Sequence, residues 1–232
     1  MPKHPAARRV HRTDTDEDVF VSGVLESSVW AKRHGRSVLI GAVALILIVA
    51  GAVYWRNYRA DLRDRATVEL TPVRQTVIEG NRQLAIRDLT AFIDKYGSTP
   101  SADEARLLLA QVYVEEGRAQ DAVGVLEPVA GDPGGASGAT AALLLGAAHE
   151  AGNQTDKAER IYLQVADKAR FGFEKREGLE RAAGIRIQKG NTAAAAELYD
   201  RAMKTLPEDS PERSVYLMRI AEINAAAARS GT

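Results

Sequence analysis

The chain has 232 residues, 31 Lys and Arg against 31 Asp and Glu, and no cysteine. The missing cysteine excludes a disulfide scaffold, a Cys-ligated zinc or iron–sulfur centre and a thiol nucleophile. The zero net charge argues against a chain built to grip nucleic acid, which needs a basic excess. Alanine fills 39 positions, so helix is the default expectation and all-α the predicted fold class.

Residues 1–36 form a charged tail with seven basic and five acidic side chains. Its first 18 residues are dense in charge, without a periodic apolar face, and read as disordered. Residues 19–33 place Phe20, Val21, Val24, Leu25 and Val29 on one helical face. They read as a short interfacial helix or an unstructured juxtamembrane stretch, with Gly23 and three serines arguing for the latter. Ser37 to Trp55 then runs for 19 residues without a charge, bounded by Arg36 and Arg56. At about 1.5 Å per residue this covers a hydrocarbon core of about 30 Å, with Tyr54 and Trp55 at the interface, so 37–55 is expected to be a transmembrane helix. Ala50-Gly51-Ala52 resembles a signal-peptide cleavage site. The long tail and long apolar run favour an uncleaved signal-anchor.

Orientation is ambiguous by charge. Lys32, Arg33 and Arg36 precede the segment closely, whereas Arg56, Arg59, Arg63, Arg65 and Arg74 lie beyond it. We expect a cytoplasmic tail and an exported C-terminal domain, because a first apolar segment near an N-terminus normally exports the chain on its C-terminal side. Residues 56–65 are expected to form a charged juxtamembrane helix or linker, and 66–228 a repeat domain.

The repeat domain announces itself by period. Gly80-Asn81, Gly117-Arg118, Gly152-Asn153 and Gly190-Asn191 recur at the ends of amphipathic stretches. Ala85, Ala122, Ala158 and Ala195 come after these junctions at intervals of 37, 36 and 37 residues. Four residues on stand Leu89, Leu126, Tyr162 and Tyr199, and seven on Phe92, Val129, Val165 and Ala202. The expected unit is two antiparallel helices. Glycine takes the left-handed turn and alanine allows close approach, while the later positions form the apolar stripe. Ser101 to Glu104 reads as a capping box, Ser210-Pro211 as a helix start and Pro207 as the end of the last full unit.

These residues resemble the tetratricopeptide repeat, a helix-turn-helix unit of about 34 residues. The resemblance covers residues 66–207 in four units, with 211–228 as a capping helix. The units are slightly long, lack the early tryptophan, and place Pro72 inside the first helix. Together with Trp30 to Arg33 and the single apolar segment, the layout is similar to the YfgM-like family of bacterial inner-membrane proteins. That resemblance implies a partner set of exported chains, the Sec translocon and periplasmic chaperones, in a membrane-anchored protein-binding role. Another cell-envelope assembly, such as division, pilus or secretion machinery, is the alternative.

Candidate chemistry is sparse. His149 is expected to pack between helices, and His149-Glu150 lacks the second histidine of a zinc-protease helix. The glycine cluster 131–138 lacks a P-loop lysine, and Asp167 and Glu174 have no paired geometry. Neither enzymatic activity nor a cofactor or metal is expected. The remaining candidate is a groove on the first helices of the units. Repeat register places Leu70, Arg74, Val77, Leu107, Gln111, Val114, Leu143, Ala147, Glu150, Glu180 and Ile187 there. This lining is mostly apolar and slightly acidic. The lysines of a carboxylate clamp are missing, so the expected ligands are apolar extended or helical segments.

Overall fold

A computed structural model describes residues 35–230; the expected disordered tail and interfacial helix lie outside the described residues. Among the described residues the chain is helical with no strand. The helices are α1 (Gly35–Ile78), α2 (Arg82–Tyr96), α3 (Pro100–Glu115), α4 (Ala119–Ala130), α5 (Gly138–Ala151), α6 (Thr155–Lys168), α7 (Gly172–Gln188), α8 (Thr192–Lys204) and α9 (Arg213–Ser230).

The described residues divide into two compact units, one ending at Arg59 and the other beginning at Ala60. In the first, α1 carries the apolar run with Leu39, Ile40, Leu47 and Ile48 exposed. This helix is long and apolar enough to cross a membrane. At the end of the run Tyr54 stacks on Tyr58, and Arg59 lies over the Trp55 ring at 5.1 Å. The boundaries expected at residues 55 and 65 both fall inside α1, which continues unbroken past Pro72 to Ile78.

The second unit is a stack of helix pairs. The last part of α1 pairs with α2, α3 with α4, α5 with α6 and α7 with α8; α9 packs on α8. The left-handed residue ending the first helix of each pair is Gly80, Gly117 or Gly190, at φ 76°, 72° and 75°. In the third pair it is Asn153 at φ 57°, while Gly152 keeps a negative φ. Asparagine tolerates this region better than other residues with a Cβ. Counted from the left-handed residue, every alanine of the repeat stands five places later. The turns close with matching backbone bonds: Arg118 N donates to Tyr113 O at 2.7 Å, Gln154 N to His149 O at 2.7 Å and Asn191 N to Arg186 O at 2.8 Å.

Two helix starts differ from expectation. α3 begins at Pro100, and Thr99, not Ser101, caps it by accepting from Ala102 N at 3.3 Å. A residue before proline is forced out of the helical region, so Thr99 sits extended at ψ 153° and Pro100 takes the first turn. α9 begins at Arg213, two residues after Pro211. The 131–138 segment folds around Asp132, whose carboxylate accepts from Gly134 N at 3.1 Å.

The core is a continuous strip of three clusters along the stack. Ala85, Ala122, Ala158 and Ala195 are fully buried, as are Leu89, Leu126 and Tyr162. Tyr199 is only half-buried, and Leu198 takes the core place beside it. Tyr162 is a point of close packing between neighbouring helices. A Cβ on Gly146 of α5 would collide with the Tyr162 ring, and one on Gly178 of α7 would lie 2.6 Å from the Tyr162 carbonyl. By contrast, a Cβ on Gly124 in α4 meets nothing within 4 Å.

Gly146→Ala should therefore destabilise the repeat unit by about 1–3 kcal/mol through overpacking. Gly124→Ala should stabilise it by about 0.5–1 kcal/mol by removing helix-interior glycine entropy. Thermal unfolding of the two variants checks both signs.

Candidate protein-binding groove

Successive first helices also touch, α3 with α5 and α5 with α7, so one face of each contributes to a shared surface. Glu104, Leu107, Leu108 and Gln111 come from α3, and Thr140, Leu143, Leu144 and Ala147 from α5. With Phe173, Glu174, Glu177 and Arg181 of α7 they line a cavity of about 440 Å³. Repeat spacing sorts most of these residues into rows across the helices. Glu104, Thr140 and Glu177 are equivalent, as are Leu108, Leu144 and Arg181. The floor is leucine, half-buried because Leu107, Leu143 and Leu144 pack against one core cluster and Leu108 against the preceding one. Phe173, 60% exposed, stacks on Phe171 at 5.7 Å and closes one end with aromatic surface.

The acids around this floor are already engaged. Glu104 pairs with Arg74 of α1. Glu177 accepts from Arg181 at 3.2 Å, and the Glu174 carboxylate accepts from Phe171 N at 3.2 Å, capping α7. Exposed pairs of this kind contribute about 0–1 kcal/mol each, so they orient the rim more than they stabilise it.

Four residues expected from sequence, Leu107, Gln111, Leu143 and Ala147, are brought together here. Arg74 does not line the cavity but reaches Glu104. The others lie elsewhere. Leu70 is 2% exposed and belongs to the first core cluster. The repeat register would have turned Arg65, Val68 and Pro72 inward instead. The chain avoids burying a charge and a proline by presenting Leu62, Ala66, Leu70, Val73 and Val77 to the core. Val77, Val114 and Ile187 pack against the three clusters, because the last turn of each first helix lies under its partner across a short connection. Glu150 accepts from the buried Tyr162 Oη at 2.6 Å. Burial and that bond push the Tyr162 phenol far above its usual range. Glu180 accepts from Tyr216 Oη, and burial first, then that bond, push the Tyr216 phenol up to about 12.

Sequence reasoning missed Leu108, Leu144 and Phe173. The signal was present in the paired leucines at 107–108 and 143–144, which offer two neighbouring faces where a core stripe needs one. Phe173 falls outside the helix-turn periodicity, at the start of α7.

His149 is packed inside the stack, 8% exposed, with Nδ1 3.1 Å from the Gln154 amide oxygen. Among the described residues no group of three or more His, Cys, Asp or Glu side chains has the geometry to hold a metal ion.

A family model for the tetratricopeptide repeat-like domain matches residues 29–225. The chain belongs to this family. No curated protein matches the chain at a significant level. The crystal structure of MamA protein is similar with a TM-score of 0.47 and 16% identity, over 71% of this chain and 94% of that one. Tetratricopeptide repeat-like domains generally bind other proteins.

Burial holds the His149 pKa below its usual value, with the positive charge of Lys157 adding to this and Gln154 and Glu127 opposing it. The unfolded chain therefore binds a proton first as pH falls. Stability is retained above about pH 6.5 and declines as pH drops from there through the folded-state pKa. Thermal midpoints between pH 7.5 and 5.5 should fall more steeply for the wild type than for His149→Gln; equal slopes would refute this assignment.

Proposed function

We propose that this protein is a single-pass bacterial inner-membrane protein that holds its repeat unit on the extracytoplasmic side. There its groove captures apolar segments of exported or envelope proteins, in the manner of the YfgM-like ancillary translocon subunits it resembles. The single observation that carries the reading is the floor of four half-buried leucines, Leu107, Leu108, Leu143 and Leu144, open between successive first helices. A solvent-facing apolar floor rimmed by polar groups is the usual mark of a protein interaction surface.

The apolar part of α1 supports the membrane reading by length and composition. The family match starts at residue 29, ahead of that run, which supports treating anchor and repeats as one inherited unit. Anchoring confines the groove near the membrane and raises its effective concentration for clients emerging there. The engaged rim carboxylates favour ligands read by apolar contact over ligands read by charge.

Two experiments test this. Protease added to intact spheroplasts should digest the repeat unit and spare the tail; a protected repeat unit reverses the orientation. A photo-crosslinking amino acid at Leu108 or Leu144 should capture exported chains together with translocon or chaperone components, while the same probe at Gly124 on the opposite helix of the pair should not. One fixed envelope assembly in place of exported chains would move the protein to the alternative scaffold role. No adduct above the Gly124 control would remove the groove from the mechanism.

A further inference from the structure

Among the described helices, α9 packs closely on α8 alone and leaves its other faces to solvent. Its inner face packs through Tyr216 and Ile223. Its outer face leaves Val215 58% exposed and Met218 60% exposed. The apolar patch does not stand alone. At 100° per residue, Glu212 (just ahead of α9), Val215, Met218, Arg219, Glu222, Ala226 and Arg229 fall within one arc of about 120°. All are exposed. Most of them, at 212, 215, 219, 222, 226 and 229, alternate in steps of three and four, the spacing of a helix–helix seam.

The order of charge along that seam is acidic, basic, acidic, basic: Glu212, Arg219, Glu222, Arg229. Turned end for end, the same order reads basic, acidic, basic, acidic. A two-fold axis crossing α9 between Ile220 and Ala221 therefore sets Glu212 against Arg229 and Arg219 against Glu222, each twice. It also sets Val215 against Ala226, a large apolar side chain against a small one. Isologous interfaces require this self-complementarity, and an unrelated partner gives no reason for it. Within one chain, Arg219 donates to Glu222 at 3.2 Å and also interacts with Tyr199 of α8. The seam residues Glu212, Val215, Met218, Arg219 and Glu222 form one wall of a cavity of about 490 Å³ whose other lining is Glu180, Tyr199 and Tyr216.

We propose that the outer seam of α9 pairs antiparallel with the same seam of a second copy of this chain. The pairing leaves the leucine groove on α3, α5 and α7 free, so one assembly presents two grooves.

The chain has no cysteine, so any thiol introduced is the only one. In the proposed register Val215 of one copy faces Ala226 of the other. Identical positions stand 11 residues apart along the helix axis, about 16 Å at 1.5 Å per residue. That is beyond the Cα separation of about 4.4–6.8 Å that a disulfide tolerates. Full-length Val215→Cys and Ala226→Cys chains carrying different tags are mixed in detergent, co-reconstituted in lipid and oxidised. A disulfide joining unlike tags should form about tenfold more readily than either variant does with itself. No mixed disulfide, or equally fast self-crosslinking of Val215→Cys, overturns the proposal. Charge reversal gives a second readout in chains that keep their fold. Arg219→Glu and Glu222→Arg should each dimerise about tenfold more weakly than the wild type, and their mixture should recover, because each reversed residue then meets its opposite on the other copy. Failure of the mixture to recover overturns the antiparallel register.

Discussion

The repeat unit depends on how closely helices approach one another. Four alanines, Ala85, Ala122, Ala158 and Ala195, are fully buried where the second helix of each pair crosses the first. At the third pair the approach is closer still, with Tyr162 lodged against the bare backbone of Gly146 while Gly178 of the next pair lies against the α6 backbone. A packed interior forfeits contact energy for gaps smaller than a water molecule, so these small residues set the helix spacing. That spacing, in turn, brings α3, α5 and α7 near enough to share one lining. The leucines of the groove stay half-exposed, while Leu89, Leu126 and Tyr162 fill the interior between the small residues.

Much of this was legible in the sequence because both determinants are periodic. A left-handed turn residue and a small residue five places later repeat at intervals of 37, 36 and 37, and the four pairs derive from them. In the third pair the alanine stands six residues after Gly152, where the other three pairs have five. The difference resolves once Asn153 takes the left-handed conformation in place of Gly152. Two residues of similar turn chemistry stand side by side there, and only the backbone decides which one turns.

The groove was less legible. Register extrapolation identified a stripe but could not tell which end of it faces solvent, since a residue seven places on occupies nearly the same angle. Coverage decides the matter: Val114, Glu150 and Ile187 sit in the last turn of their helices, under the partner helix. Leu107 and Leu143 sit earlier and stay open. The first helix also departs from the register altogether. A proline at 72 and an arginine at 65 could not be buried, so the helix rotates to bury Leu70 instead. Such a rotation is a tertiary compromise between neighbours, with no trace in the period itself.

The geometry of the lining also limits what it can hold. Helix axes packed side by side are about 8–10 Å apart, so equivalent leucines such as Leu108 and Leu144 recur at roughly that interval. An α-helical ligand meets that spacing with an apolar residue about every seven positions, at about 1.5 Å each. A ligand in the polyproline II conformation meets it about every third position, at about 3.1 Å each. The two patterns share no sequence beyond the recurrence of apolar side chains. The rim carboxylates Glu104, Glu174 and Glu177 are committed to Arg74, to the cap of α7 and to Arg181, and so add little charge reading of their own. Under the function proposed above, a surface of this construction selects for apolar spacing and discriminates weakly among sequences that satisfy it.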